Sequence, residues 1–165
     1  MLPAEDHRRD TPTHTLCKPE ILTITDMSSH TSDLPAHQAV LDEIQARWNC
    51  AAATWDAKGL ASIYSEDALF FGLLPRLYVG RPQIEEYFGS YQGTLECVSL
   101  TLVDQNTRTL APGVFSAQGF GDIVNRHYDG GIVPRRVRSS FVIADRGGRW
   151  QILLHHFSRM EMPLG

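Results

Sequence analysis

Cysteine is scarce in this chain: three among 165 residues, Cys17, Cys50 and Cys97, widely spaced and without a CxxC. An odd and scattered set gives neither a disulfide framework nor a thiolate zinc site. Cys50 and Cys97 stand in apolar stretches and read as small buried hydrophobes. A reducing cytoplasm is the expected compartment. No window reaches the roughly 18 continuous apolar residues of a membrane-spanning helix. Basic residues are outnumbered, 15 Lys and Arg against 19 Asp and Glu. The chain therefore lacks the positive field that a nucleic-acid backbone requires, and neither nucleic acid nor membrane is an expected partner. There is no HExxH, and His127, His155 and His156 form no helical i,i+4 pair, so no metal or other cofactor is expected. No Gly-x-Ser-x-Gly elbow exposes a nucleophilic serine. Gly119-Phe120-Gly121 opens no helix, which excludes a dinucleotide loop and marks a bend in a strand instead.

What remains is an ordinary globular composition, 42% apolar and 21% charged, at a length that suits one domain. Residues 1–32 lack periodicity, carry Pro3, Pro12 and Pro19, and read as a flexible N-terminal tail; residues 33–165 read as a single domain. Within the tail, Ile21-Leu22-Thr23-Ile24 is a candidate edge strand. Met27, followed by Ser-Ser-His-Thr-Ser-Asp, is a candidate initiator, which mass spectrometry of the native N-terminus tests.

Periodicity gives the element order. Val40, Leu41, Ile44, Trp48, Ala51, Ala52 and Trp55 recur at spacings of three and four, opposite Asp42, Glu43, Gln45, Arg47 and Asn49. This predicts a long amphipathic helix opened by Ser32-Asp33 and Pro35. Asp56 is placed to cap a shorter helix carrying Leu60, Ile63 and Tyr64. Ala68–Leu74 reads as a strand, Leu77–Val79 continues it, and Arg81–Phe88 reads as a third helix with proline in its first turn. After Gly93 the period changes to two, giving one long strand, or two joined by a bulge, over Leu95–Leu110, and further strands over Val114–Val124, Val137–Ile143 and Trp150–Ser158. Asp145-Arg146-Gly147-Gly148 supplies a hairpin turn. Early helices and late antiparallel strands describe an α+β domain with helices packed on one face of a bent sheet.

Four stretches resemble the nuclear-transport-factor-2-like superfamily, in the group of SnoaL-like proteins and the calmodulin-dependent kinase association domain. They are Arg47-Trp48-Asn49-x-Ala51 with Asp56; Leu60-x-x-Ile63-Tyr64-x-x-Asp67-Ala68-x-Phe70; Gly80-Arg81-x-x-Ile84-x-x-Tyr87-Phe88; and Arg138 with Gly147-Gly148-Arg149-Trp150-x-Ile152, ending at His156-x-Ser158. The resemblance implies a cystatin-like α+β roll: a cone of curved antiparallel sheet wrapped on the long helix, with a pocket at its open end. It also implies a homodimer through the outer sheet face, and it covers enzymes as well as proteins without catalysis.

Candidate site residues follow from that cone. Trp48, Tyr64, Phe71, Tyr78, Tyr87, Phe141 and Ser158 are the expected ligand-binding residues for a small hydrophobic or ring-containing molecule. In the last strand Trp150, Ile152, Leu154, His156 and Ser158 share one parity and Gln151, Leu153, His155, Phe157 and Arg159 the other. The first set is expected inward, which makes His156 the candidate acid–base residue and puts His155 outside. Asp122, Gln118 and Phe120 share a face, placed in the cavity or at the dimer interface. Val137, Ser139, Phe141 and Ile143 form an apolar face, with Arg136 and Arg138 pointing the other way. The kinase association domain carries a cavity arginine near Phe141, so phenylalanine there argues against a carboxylate ligand. Gly72 and Trp48 stand where the steroid-isomerase branch has its catalytic aspartate and tyrosine, which disfavours that branch. Three functions stay open: a binding domain; a small cyclase, isomerase or hydrolase using His156 with Tyr64 or Asp122; and a non-catalytic association module.

Overall fold

The computed structural model describes residues 33–160; the tail expected over 1–32, with its Ile21–Ile24 strand and Met27, lies outside them. The order is α1 (Leu34–Ala52), α2 (Ala57–Ala61), β1 (Tyr64–Phe71), β2 (Leu77–Val79), α3 (Gly80–Gly89), β3 (Leu95–Ala111), β4 (Val114–His127), β5 (Ile132–Asp145) and β6 (Trp150–Arg159). The strands form one curved, unclosed sheet in the order β2-β1-β6-β5-β4-β3. Every pairing is antiparallel except β1 with β6, which run parallel.

The apolar stripe of α1 is buried at Val40, Leu41, Ile44, Trp48 and Ala52. Its polar side does not simply face water. Asn49 accepts from the Leu100 N–H and donates to the Leu100 carbonyl, both at 2.8 Å, and Gln45 accepts from the Leu102 N–H. Further along, His37 Nδ1 meets the Thr107 hydroxyl at 3.0 Å, and the Thr109 hydroxyl donates to Asp33 at 2.9 Å. β3 is the last strand of the sheet, and the helix amides satisfy backbone groups that an edge strand otherwise leaves bare. The Asp33 carboxylate is thereby used on Thr109, and it makes no cap bond to its own helix.

The curvature has a local cause. β3 carries an extra residue opposite Gly119, between the pairs Val103–Phe120 and Asn106–Gln118, with Asp104 at φ +51°. A bulge of this kind bends a strand and sharpens its twist. Gln105 tucks inward and donates to the Phe120 carbonyl at 2.8 Å and the Ser139 hydroxyl at 3.0 Å. A Cβ on Gly119 would stand 2.6 Å from the Asp104 carbonyl oxygen, so only glycine allows the approach. The bend expected at Gly119 is therefore made by two strands together.

Four expectations are corrected. Tyr64 begins β1 and is not on the second helix, which ends at Ala61. Cys50 is exposed on α1, because the buried stripe passes through Trp48 and Ala52 on either side of it. β5 starts at Ile132 and includes Pro134, which pairs only with Val124 of β4. Pairing with β6 begins at Val137, so the missing proline N–H disrupts no ladder there. The fourth concerns β6. Val142 pairs with Leu154 and Ile143 with Ile152, which leaves Leu153 as an extra residue. That bulge reverses the parity, since a slip of one residue moves every later side chain to the other face. His155 and Phe157 therefore point inward, and Leu154 and His156 outward.

No helix among the described residues is long and apolar enough to cross a membrane.

A candidate site in the aromatic hollow

The concave side of the sheet closes over α1 and α3 around a continuous aromatic cluster. Phe70 of β1 lies at its centre, 4.8 Å from the Tyr87 ring, 5.7 Å from Phe88 and 5.5 Å from Tyr64. Offset and edge-on geometries at these separations are favourable for quadrupolar rings. Two features hold the cluster in place. Arg81 of α3 donates twice to the Tyr64 carbonyl, at 2.8 and 3.2 Å. Tyr87 accepts from the Leu73 N–H at 3.1 Å, and a Cβ on Gly72 would fall 2.3 Å from its ring. Glycine at 72 is thus the residue that admits the tyrosine.

A cavity of about 70 Å³ remains within this cluster. Phe70, Phe88, Phe157 and Trp48 line its buried part, and Leu95, Val98 and Ile123 close the β3–β4 side. Trp55, Leu73 and Tyr91 line it while half-buried, and so do two polar residues, Asn125 of β4 and Arg135 of β5. These mark its opening. Pockets for drug-sized ligands run to roughly 300–1,000 Å³, and a dry cavity of about 150 Å³ holds benzene. The hollow is therefore mostly filled by its own rings, and its vacant part, about half the benzene-holding size, suits a group smaller than benzene, a small ring at most. Trp55 is held at the opening with φ +49°, a left-handed backbone unusual for a bulky residue. Its indole N–H donates to the Phe88 carbonyl at 2.9 Å. Strain of this kind costs about 1–3 kcal/mol and persists where surrounding contacts over-determine it.

Directly behind Phe70 and Phe157 lies the one buried polar pair of the concave face among the described residues. The Tyr64 hydroxyl is 2.7 Å from His155 Nδ1. His155 is 1% exposed, stacked on Phe141 at 4.3 Å and met edge-on by Phe157 at 4.0 Å. Burial, with a smaller contribution from neighbouring His156, pushes the His155 pKa down to about 3. Burial first, and then Tyr87, holds the Tyr64 phenol well above its ordinary value. Both groups are neutral at pH 7, and His155 Nε2 has no protein partner. Trp48, buried against the cavity, also has an unpartnered ring N–H.

The expected site residues divide into three groups. Trp48 and Tyr87 line the cavity. Tyr64, Tyr78 and Phe141 are buried in the surrounding cluster without lining it. Phe71, His156 and Ser158 lie on the outer face, where the Phe71 and His156 rings are 5.6 Å apart. Period two in β1 sends Phe70 inward and Phe71, 43% exposed, outward. Asp122 is also outside, in a two-pronged ion pair with Arg136 at 2.6 and 2.7 Å. The most informative residue missed by sequence reasoning is Arg135. It shares parity with Val137, Ser139 and Phe141, and that alternation was the available signal. Among the described residues, no group of three or more His, Cys, Asp or Glu side chains gathers to hold a metal.

Comparison with known proteins agrees with this architecture. No curated protein matches the chain. Among solved structures, a candidate calcium/calmodulin-dependent protein kinase II association domain from Xanthomonas campestris is similar at 24% identity and TM-score 0.66, covering 79% of this chain and 88% of its own. A candidate scytalone dehydratase from Novosphingobium aromaticivorans is similar at 8% identity and TM-score 0.70, over 79% and 89%. An uncharacterised cystatin-like protein from Caulobacter vibrioides is similar at 21% identity and TM-score 0.60, over 79% and 91%. Likenesses at these identities carry the fold and nothing finer. The SnoaL-like domain family matches residues 41–163, which is most of the chain and all of the sheet. With its long helix, its curved six-stranded sheet and that match, the protein belongs to the SnoaL-like domain family.

Proposed function

We propose that this SnoaL-like domain binds a small apolar molecule in the hollow between α1 and the sheet. The observation that carries the reading is the cavity itself: a void of about 70 Å³, walled by aromatic side chains and opening beside Asn125 and Arg135. A core built for packing alone has little reason to leave such space, since interiors approach crystal density. A thermal-shift screen with single-ring compounds tests it. Ligands are expected to raise Tm in the wild type and to lose that effect in Val98→Phe, which fills the void. A screen without any stabilising compound would overturn the reading.

The proposal includes a homodimer through the outer sheet face. Leu69 and Leu154, which pair across β1 and β6, and Phe71 beside His156 are exposed there as one patch. Apolar groups clustered on a sheet face are what an interface core needs. Sedimentation velocity should give a dimer for the wild type and a monomer for Phe71→Arg/Leu154→Arg. A wild-type monomer at all concentrations would refute it.

A second reading, a small enzyme of the cyclase, isomerase or hydrolase class, is favoured by one observation. The buried polar pair of the concave face is Tyr64 with His155, not His156, and His155 Nε2 is unpartnered. A neutral imidazole tied to a phenol can relay a proton. It reaches a ligand only if Phe70 or Phe157 turns aside. Turnover lost in His155→Gln with ligand binding retained would support the enzyme; turnover unaffected by that change would exclude it.

A further inference from the structure

We infer that the natural occupant of the hollow is a small monocarboxylate, its apolar body no larger than one ring and its carboxylate turned to Arg135. The inference rests on the binding reading above and adds the chemistry of the ligand. The lining contains one full cation, Arg135, and no aspartate or glutamate. Among the described residues, no hydrogen bond or ion pair engages the Arg135 side chain, whereas Arg136 next to it is held by Asp122 and Arg81 by Tyr64. A guanidinium offers five donors and no acceptor, and it matches a carboxylate in the plane of its fork. The other polar groups lean the same way. Buried Trp48 has an unpartnered N–H donor, and Tyr87 accepts from Leu73 while its own O–H is turned to the neighbouring Tyr91 hydroxyl. Asn125 and the Tyr91 hydroxyl are the other polar side-chain groups at the opening, and each can donate as well as accept. The site is rich in donors and poor in acceptors, so an acceptor-bearing anion complements it better than an amine or an alcohol. The size of the void limits the rest of the molecule. Phenylalanine at 141 does not decide the matter, because Phe141 stacks on His155 outside the lining. The cation enters from a position six residues earlier on the same face of β5.

Titration of the ¹⁵N-labelled full chain with cyclopropanecarboxylate and with cyclopropylmethanol at constant ionic strength tests this. The chain has three tryptophans. The indole N–H signals of Trp48 and Trp55, which line the cavity, should shift and saturate, and that of Trp150 should stay still. The carboxylate is expected to bind at least about tenfold more tightly than the alcohol, which is the step one charge-assisted contact supplies. Arg135→Gln should erase that preference, and Arg138→Gln, which removes an exposed arginine of the outer face, should preserve it. Equal affinities in the wild type, or a preference lost equally in both variants, would overturn the carboxylate assignment while leaving cavity binding intact. No saturable shift with either compound would remove the binding reading and this inference with it.

Discussion

The two faces of the sheet differ most sharply at adjacent residues of one strand. His155 is enclosed by Phe70, Phe141 and Phe157 and bonded to Tyr64. His156 stands outside beside Phe71. The inner imidazole is held neutral by its surroundings, while the outer one belongs to an exposed apolar patch. The difference teaches that residue type says little about role in this fold; the face decides, and the face is set by a bulge two residues earlier.

Removing an inner ring is expected to have the largest effect. Phe70→Ala should cost about 3–5 kcal/mol in urea unfolding, the usual toll of deleting a buried aromatic ring. Phe71→Ala at the next position should cost far less when measured on a dilute monomer. Similar losses for the two would erase the contrast between faces. Next comes Gly72→Ala, where a Cβ would overlap the Tyr87 ring; overpacking of this kind costs about 1–3 kcal/mol.

The pH dependence separates the histidines. The His155 pKa is depressed from 6.5 to about 3 in the folded state. Above pH 6.5 it is neutral in both states and adds no slope. As pH falls below 6.5 the unfolded chain gains a proton that the folded chain refuses. Stability should then drop by about 1.4 kcal/mol per pH unit, until the folded state also protonates near pH 3. His155→Gln should flatten that slope and His156→Gln should not; the reverse pattern would show that the assignment of faces is wrong. The smallest effect belongs to the outer ion pair. Asp122→Asn should leave the urea midpoint unchanged, because exposed pairs contribute little.

Much of the fold was legible because its signals are local. The α1 stripe, the Gly80–Gly89 helix and the turn at Asp145–Gly148 follow from spacing and turn chemistry carried within each segment. The same is true of the long, bulged β3. The site was less legible. Phe70 and Phe71 are chemically alike, and nothing beside them marks which one is inside. The Leu153 bulge arises where β6 must match β5 on one side and parallel β1 on the other, a constraint no window of β6 contains. Tyr64 sits at a junction where helical and extended readings both satisfy the pattern, and the Arg81 bonds to its carbonyl come from 17 residues away. Arg135 has the inward parity, but charge pulls such a residue to the outside in a sequence reading. Its face turns inward just where the hollow opens to water, so a cation is tolerated there.

The α1 amides that grip Leu100 and Leu102 have a consequence for how copies of this protein can meet. They occupy the hydrogen-bonding positions that an incoming strand would need along that stretch of β3, and the opposite border of the sheet is β2, only three residues long. Among the described residues, growth by adding strands, the route to runaway ribbons, finds no continuous template at either border. The homodimer proposed above uses broad contact across the sheet instead, a geometry that closes after a single pairing.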